Sequence, residues 1–228
     1  MTLASIAEQT HLRDYSKSEE VANTITHGLA ALAAAVGMVL LVIWTFQQGS
    51  VWHIIGTSVF GFTMVVLYAA STIYHAVPQQ LEEAKQRWRR YDQSAIYLLI
   101  AGSYTPFILA NMRTPIGWSL LGFVWIVAAF GIYGELAERT HSTNLRTAIY
   151  VAMGWSALFA IGPILQAMPM AGMVLIGLGG AAYSIGVVFF LWRQLRYHHA
   201  VWHLFVIAGT AFHYAAVVFY ALPASAVA

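Results

Sequence analysis

Seven apolar runs, each about as long as a bilayer is thick, constrain this chain more than any other feature. They cover 21–46, 51–76, 92–110, 116–136, 145–165, 172–192 and 199–222, with only short polar separators between them. A helix rises 1.5 Å per residue, so ~20 residues cross the hydrocarbon core. In lipid, a helix also satisfies its own backbone polar groups. The composition agrees: 60% of the residues are hydrophobic and 9% charged, against about 25% charged in a typical soluble domain. The reading is therefore all-α, an integral membrane protein with seven transmembrane helices. Residues 1–20 form a tail, 21–222 the membrane domain and 223–228 a short second tail. The first twenty residues are polar and mixed in charge. A secretory signal instead runs from a basic start into a short apolar stretch and a cleavage site, so the first run is expected to be a retained span. No internal repeat or low-complexity segment stands out.

Basic residues set the expected orientation. Of the 11 lysines and arginines, all but Arg113 fall on one side of a seven-span arrangement. The positive-inside rule places that side in the cytoplasm, with the N-terminus inside and the C-terminus outside. This is the reverse of a G-protein-coupled receptor. A formal net charge of +2 is too small to suggest nucleic acid, and the absence of cysteine excludes disulfides and thiolate metal sites. The segment LEEAKQRWRRY, with Trp88 and Tyr91, is expected to be an interfacial loop against anionic lipid headgroups. Pro106 and Pro163 are expected to kink spans three and five, and Gly177, Gly180 and Ser184 to give span six a close helix contact.

Ionisable groups in membrane helices are costly and by default mark function. His199 and His203 are four residues apart at the inner end of span seven, on one helical face about 5–6 Å apart. Span two runs inward to His75, with Ser71 one turn deeper, and span three starts at Asp92. Three imidazoles and a carboxylate from three helices thus share one depth. Three histidines with an open fourth position is the arrangement of a catalytic zinc. Each residue alone has an ordinary explanation: a hydrogen-bonded interfacial histidine, an N-cap aspartate, a small serine for packing. Their coincidence favours a site. Glu20, Asn23 and His27 share a face at the start of span one. They read either as a charged helix start with polar packing or as a polar lining beneath the metal, for water or protons. His213, about 15 Å deeper than His203, suits packing or a hydrogen bond facing the substrate. His11, His53, His141 and His198 read as structural or solvated.

The motifs E-x2-N-x3-H (Glu20, Asn23, His27), S-x3-H with a later aspartate (Ser71, His75, Asp92) and H-x3-H (His199, His203) together resemble those of hemolysin III proteins. These form the bacterial branch of the progestin and adipoQ receptor family, related to the adiponectin receptors. The resemblance spans nearly the whole chain. It implies seven helices with a cytoplasmic N-terminus in the bacterial inner membrane, and Zn2+ on His75, His199 and His203. It implies further that Asp92 holds the water on the metal, with Ser71 close by. Activity by resemblance is that of a zinc-dependent hydrolase of a lipid amide or ester, ceramidase-like, acting in membrane lipid homeostasis with membrane lipids as partners. The alternatives are a non-enzymatic sensor with a structural zinc, and a cytolysin, as the family name suggests. Seven apolar spans speak against secretion and so against the last.

Overall fold

The computed structural model describes residues 15–139 and 142–222. His11, His141 and residues 223–228 lie outside them. Among the described residues every regular element is helical: α1 (Lys17–Gln48), α2 (Val51–Ala76), α3 (Glu82–Asn111), α4 (Pro115–Leu136), α5 (Thr143–Gly154), a 3-10 turn (Ser156–Ala160), α6 (Ile161–Ala167), α7 (Met170–Leu191) and α8 (His198–Tyr220). With α5, the turn and α6 counted as one crossing, seven helical segments are long and apolar enough to span a membrane.

Packing follows the chain. Helix α2 lies between α1 and α3, α3 packs on α4, and α7 packs on α8, which returns to α1. The fifth span completes the ring more loosely, touching α3, α4 and α7. Helix α2 supplies much of one core, where Phe60, Met64, Leu67 and Tyr68 meet Leu41 of α1 and Val217 of α8. A second core joins Tyr97 and Ala101 of α3 to Val124 and Ala128 of α4. Outward faces are apolar and exposed, as in Leu29, Leu32 and Val36 of α1 and Phe130 of α4, which suits contact with lipid chains. The α2–α3 register is set by backbone proximity. A Cβ added to Gly56 would lie 2.8 Å from the Pro106 Cα, so only glycine lets the two helices approach there.

Two expectations change and one, the interruption at Pro163, is sharpened. First, LEEAKQRWRRY is not a loop: α3 starts at Glu82, and Asp92 lies in its interior rather than at its N-cap. Glu, Ala, Lys, Gln and Arg are strong helix formers, and nothing in the segment breaks the helix once Pro78 is passed. Second, span five breaks ahead of Pro163. Proline has no N–H to offer the carbonyl four residues earlier, at position 159, and the 3-10 turn Ser156–Ala160 covers that position. Helix α3 by contrast continues through Pro106. Third, the close α7–α8 contact is made by other small residues. A Cβ on Gly179 would collide with His213, and one on Gly186 with Trp202 and Phe205. A Cβ on Gly177 would meet nothing, and Gly180 and Ser184 face Trp155 across the fifth span.

Candidate metal centre

The site is assembled by the start of α1. Ser16 caps that helix, accepting from the Glu19 N–H, while the Glu19 carboxylate accepts from the Ser16 N–H in a capping box. The other Glu19 oxygen accepts from the backbone N–H of Tyr197 at 3.1 Å. Tyr197 is the residue before α8 and has φ 59°, a left-handed conformation uncommon for a non-glycine residue. One carboxylate therefore ties the first turn of α1 to the point where α8 begins. His199 and His203 consequently face α1 and the end of α2.

His75, His199 and His203 are all buried, and one nitrogen from each lies within 4.8 Å of the others. Their ring centroids are 4.6 to 5.1 Å apart. Two rings are held by their outer nitrogens. His75 Nδ1 lies 2.6 Å from a Glu20 oxygen, and Asn23 Nδ2 is 3.4 Å from the same nitrogen. His203 Nδ1 lies 3.0 Å from the Thr26 hydroxyl, which donates to the carbonyls of Ala22 and Asn23 and so accepts from the imidazole. Each ring then presents Nε2 inward, as expected when an outer partner fixes the tautomer. His75 Nε2 and His199 Nδ1 are buried with no hydrogen-bond partner. Orphaned nitrogens of this kind are rare and call for an explanation. A tetrahedral zinc holds nitrogens at about 2.0–2.1 Å, hence roughly 3.4 Å from each other. The three nitrogens, each within 4.8 Å of the others, stand near that spacing, and the orphaned nitrogens supply the donors, so the residues fit a metal.

Glu20 is itself held in place. Lys85 of α3 donates to its second oxygen at 2.7 Å and also caps the end of α2, donating to the Tyr74 and Val77 carbonyls at 2.8 and 3.1 Å. The ammonium lies 4.6 Å from the centre of the Tyr74 ring. His27 stacks on His203 with centroids 3.4 Å apart and planes 10° from parallel. Tyr15 covers the outer side, its ring 5.2 Å from His199 and 6.0 Å from His75. Burial holds its phenol well above the ordinary range, so Tyr15 is a neutral lid.

Asp92 is not among the three grouped ligands. Its carboxyl is close enough to the buried Ser71 hydroxyl for a hydrogen bond between them, and it also feels the charges of His75 and Arg89. Both Asp92 and Ser71 line a cavity of ≈ 770 Å³ that also reaches His199 and His203. The cavity follows α3 from Lys85 past Tyr104 to Asn111, with α7 on its far side, so it traverses most of the bundle. His213 lines the same cavity, donating through Nε2 to the Ile176 carbonyl at 3.3 Å, well away from the three-histidine group. His198 is bound to the Phe189 carbonyl and His53 to the Ser50 cap.

The structure thus brings Glu20, Asn23, His27, Ser71, His75, Asp92, His199 and His203 to one end of the bundle. Sequence reasoning passed over Glu19, Thr26, Lys85 and Tyr15. Thr26 and Lys85 lie on helices already implicated. Tyr15 lies before any apolar run and gave no signal.

Residues 15–214 match the sequence profile of the Haemolysin-III related family. The chain is 38% identical to Hemolysin-3 of Bacillus cereus over 216 residues, 95% of this chain and 97% of that protein. It is 38% identical to the Hemolysin-3 homolog of Bacillus subtilis (strain 168) over 206 residues, 90% and 96% of the two chains. It is also 30% identical to the Monocyte to macrophage differentiation factor of Homo sapiens over 204 residues, 87% and 83%.

Proposed function

We propose, on the premise that the chain belongs to the Haemolysin-III related family of multi-pass membrane proteins, that it is a zinc-dependent hydrolase of a lipid amide or ester. Its place would be the inner membrane, with the histidine end cytoplasmic, and its role lipid homeostasis. One observation carries this reading. Three buried imidazoles converge, with one unpartnered nitrogen on each of two rings, at the head of a cavity long enough for an acyl chain.

His75, His199 and His203 would hold the ion. When bound, zinc would polarise a carbonyl and bring the pKa of a water to about 7. The protein does the rest. Asp92 takes the proton of the attacking water and returns it to the departing amine or alcohol. Ser71, beside Asp92, turns its hydroxyl hydrogen to the oxyanion that develops on the carbonyl oxygen. The apolar cavity wall along α3 holds the acyl chain, so the linkage is delivered to Asp92 and Ser71 and not to bulk water. A structural zinc needs a fourth protein ligand. Among the described residues no fourth carboxylate or imidazole joins the three histidines, which favours the open, catalytic form.

The test is fatty-acid release from a panel of membrane lipids by reconstituted protein, with and without chelator. Asp92→Asn should retain about one zinc per chain by elemental analysis and lose turnover. The absence of any chelator-sensitive release above the Asp92→Asn background would end the enzyme reading in favour of a sensor.

A further inference from the structure

We infer that Gly177 of α7 sets the length of acyl chain the cavity accepts: the space its missing side chain leaves lets a long chain pass from the histidine end to the far end. This deepens the hydrolase reading and rests on it for the claim that the chain belongs to a substrate.

The lining positions of α7 fall on one helical face. Met173, Gly177, Gly180, Ser184 and Val187, spaced by three and four, all border the cavity. Phe190, next on that face, has its ring centroid 5.8 Å from that of His199, and so marks the histidine level on this helix. Gly177 is thirteen residues from Phe190, about 20 Å along the axis. An extended hydrocarbon advances about 1.25 Å per carbon, from C–C bonds of about 1.5 Å and near-tetrahedral angles, so about 16 carbons cover that distance. The cavity does not stop there. On α3 it runs from Asp92 to Asn111, nineteen residues or about 28 Å, and Met112, Met168 and Met173 line its far end. Unbranched thioether side chains yield to chain ends of different lengths. Phe107, Ile164 and Ile176 make the wall along the way apolar, which suits hydrocarbon.

Packing does not explain glycine at 177. Glycine is a poor helix former, and membrane helices use it where another helix comes close. Gly179 and Gly186 serve that purpose, against His213 and against Trp202 and Phe205. Gly180 is met by Trp155, 3.4 Å from where a Cβ would stand. A Cβ on Gly177 would have no neighbour within 4 Å among the described residues. On the cavity face of α7, that open space belongs to the groove, and a side chain there would project into the path of the chain.

The test reads binding of ligands that cannot be hydrolysed, so it does not depend on turnover. Purified protein in lipid nanodiscs is titrated with glyceryl ethers carrying dodecyl, hexadecyl or eicosyl chains. The parent should bind the hexadecyl ether at least as tightly as the dodecyl. Gly177→Phe should weaken the hexadecyl and eicosyl ethers at least about 10-fold and leave the dodecyl within about twofold, because the shorter chain ends before position 177. Gly177→Leu should act in the same direction and takes the place of the phenylalanine variant if that one fails to fold. Gly177→Ala should melt no lower than the parent, since its methyl group meets nothing. Leu178→Phe, on the exposed side of α7 and off the cavity, should leave all three affinities unchanged. No binding of any ether by the parent would overturn the inference, as would an unchanged chain-length profile in the folded Gly177 variants. So would an equal loss of all three ligands in a folded variant, a lower melt for Gly177→Ala, or the same change of profile in Leu178→Phe. Chain selection without turnover of the corresponding esters would leave the length limit standing and reject the hydrolase.

Discussion

Glu20 offers the most direct test of how the metal centre is held. Its carboxylate accepts from His75 Nδ1 at 2.6 Å and from Lys85 at 2.7 Å, and its side chain is only 14% exposed. Truncation to alanine removes the partner that fixes the His75 tautomer, leaving the ring free to present a proton where the ion should bind. A hydrogen bond to a charged group contributes about 1.5–3 kcal/mol. Loss of an outer partner of a metal-bound histidine costs about 10–100-fold in affinity, equivalent to ~1.4–2.7 kcal/mol. The two estimates agree, so Glu20→Ala should weaken zinc by one to two orders of magnitude. Glu20→Gln should fall between that variant and the parent, because an amide oxygen still accepts from Nδ1 but carries no charge. The assay is competition against a chromophoric chelator in detergent, with far-UV circular dichroism to confirm that the helices persist. A Glu20→Ala protein that folds and holds zinc within about twofold of the parent would refute the reasoning and return Glu20 to the status of an ordinary helix-start charge.

Other residues separate the site from its surroundings. His213→Ala should retain zinc and lose only about 1 kcal/mol of stability, the net contribution of its bond to the Ile176 carbonyl; zinc loss equal to that of His203→Ala would put the ligand face of α8 in the wrong place. Glu135→Ala removes the buried carboxylate paired with the Arg146 guanidinium, 7% exposed, and should cost ~3–5 kcal/mol in a thermal melt. Glu135→Leu combined with Arg146→Met should recover most of that loss, and a melt unchanged by Glu135→Ala would exclude a buried pair. An alkaline phosphatase fused after Ala228 should be active and a fluorescent protein that folds only in the cytoplasm should stay dark, as the basic asymmetry requires.

The number of spans was legible because it depends on run length, a property written directly in the residue order. Where the helices start was not. Hydropathy marks where a helix enters lipid, whereas helicity depends on propensity and capping. Glu82 to Tyr91 is strongly helical and strongly polar at once, so the expected boundary at Asp92 fell ten residues late. In span five the cause was visible and its location was not. Pro163 announces a broken ladder, but the disruption appears at Ser156–Ala160, toward the carbonyl that proline leaves without a partner. Span six failed differently. Glycines at 177, 179, 180 and 186 crowd one helix, and the sequence does not say which of them face α8.

The centre itself could be read because topology fixes depth: helices that alternate in direction bring the end of span two and the starts of spans one, three and seven to one level. Depth selects candidates without saying how they are arranged around the helix axes. That is why His199 and His203 could be named from an i, i+4 spacing while Thr26, on α1, could not be assigned to His203. Lys85 illustrates the limit best. In the sequence it is one of four basic residues in a short polar stretch, with nothing to distinguish it from Arg87. In the fold it sits one turn into α3, where the ammonium reaches the last carbonyls of α2 and the Glu20 carboxylate together. Its position depends on the helical start of α3 that hydropathy missed. The same error hid both the extra length of the helix and the cation that steadies the His75 partner, because a residue in a loop has no fixed direction and a residue in a first helical turn does.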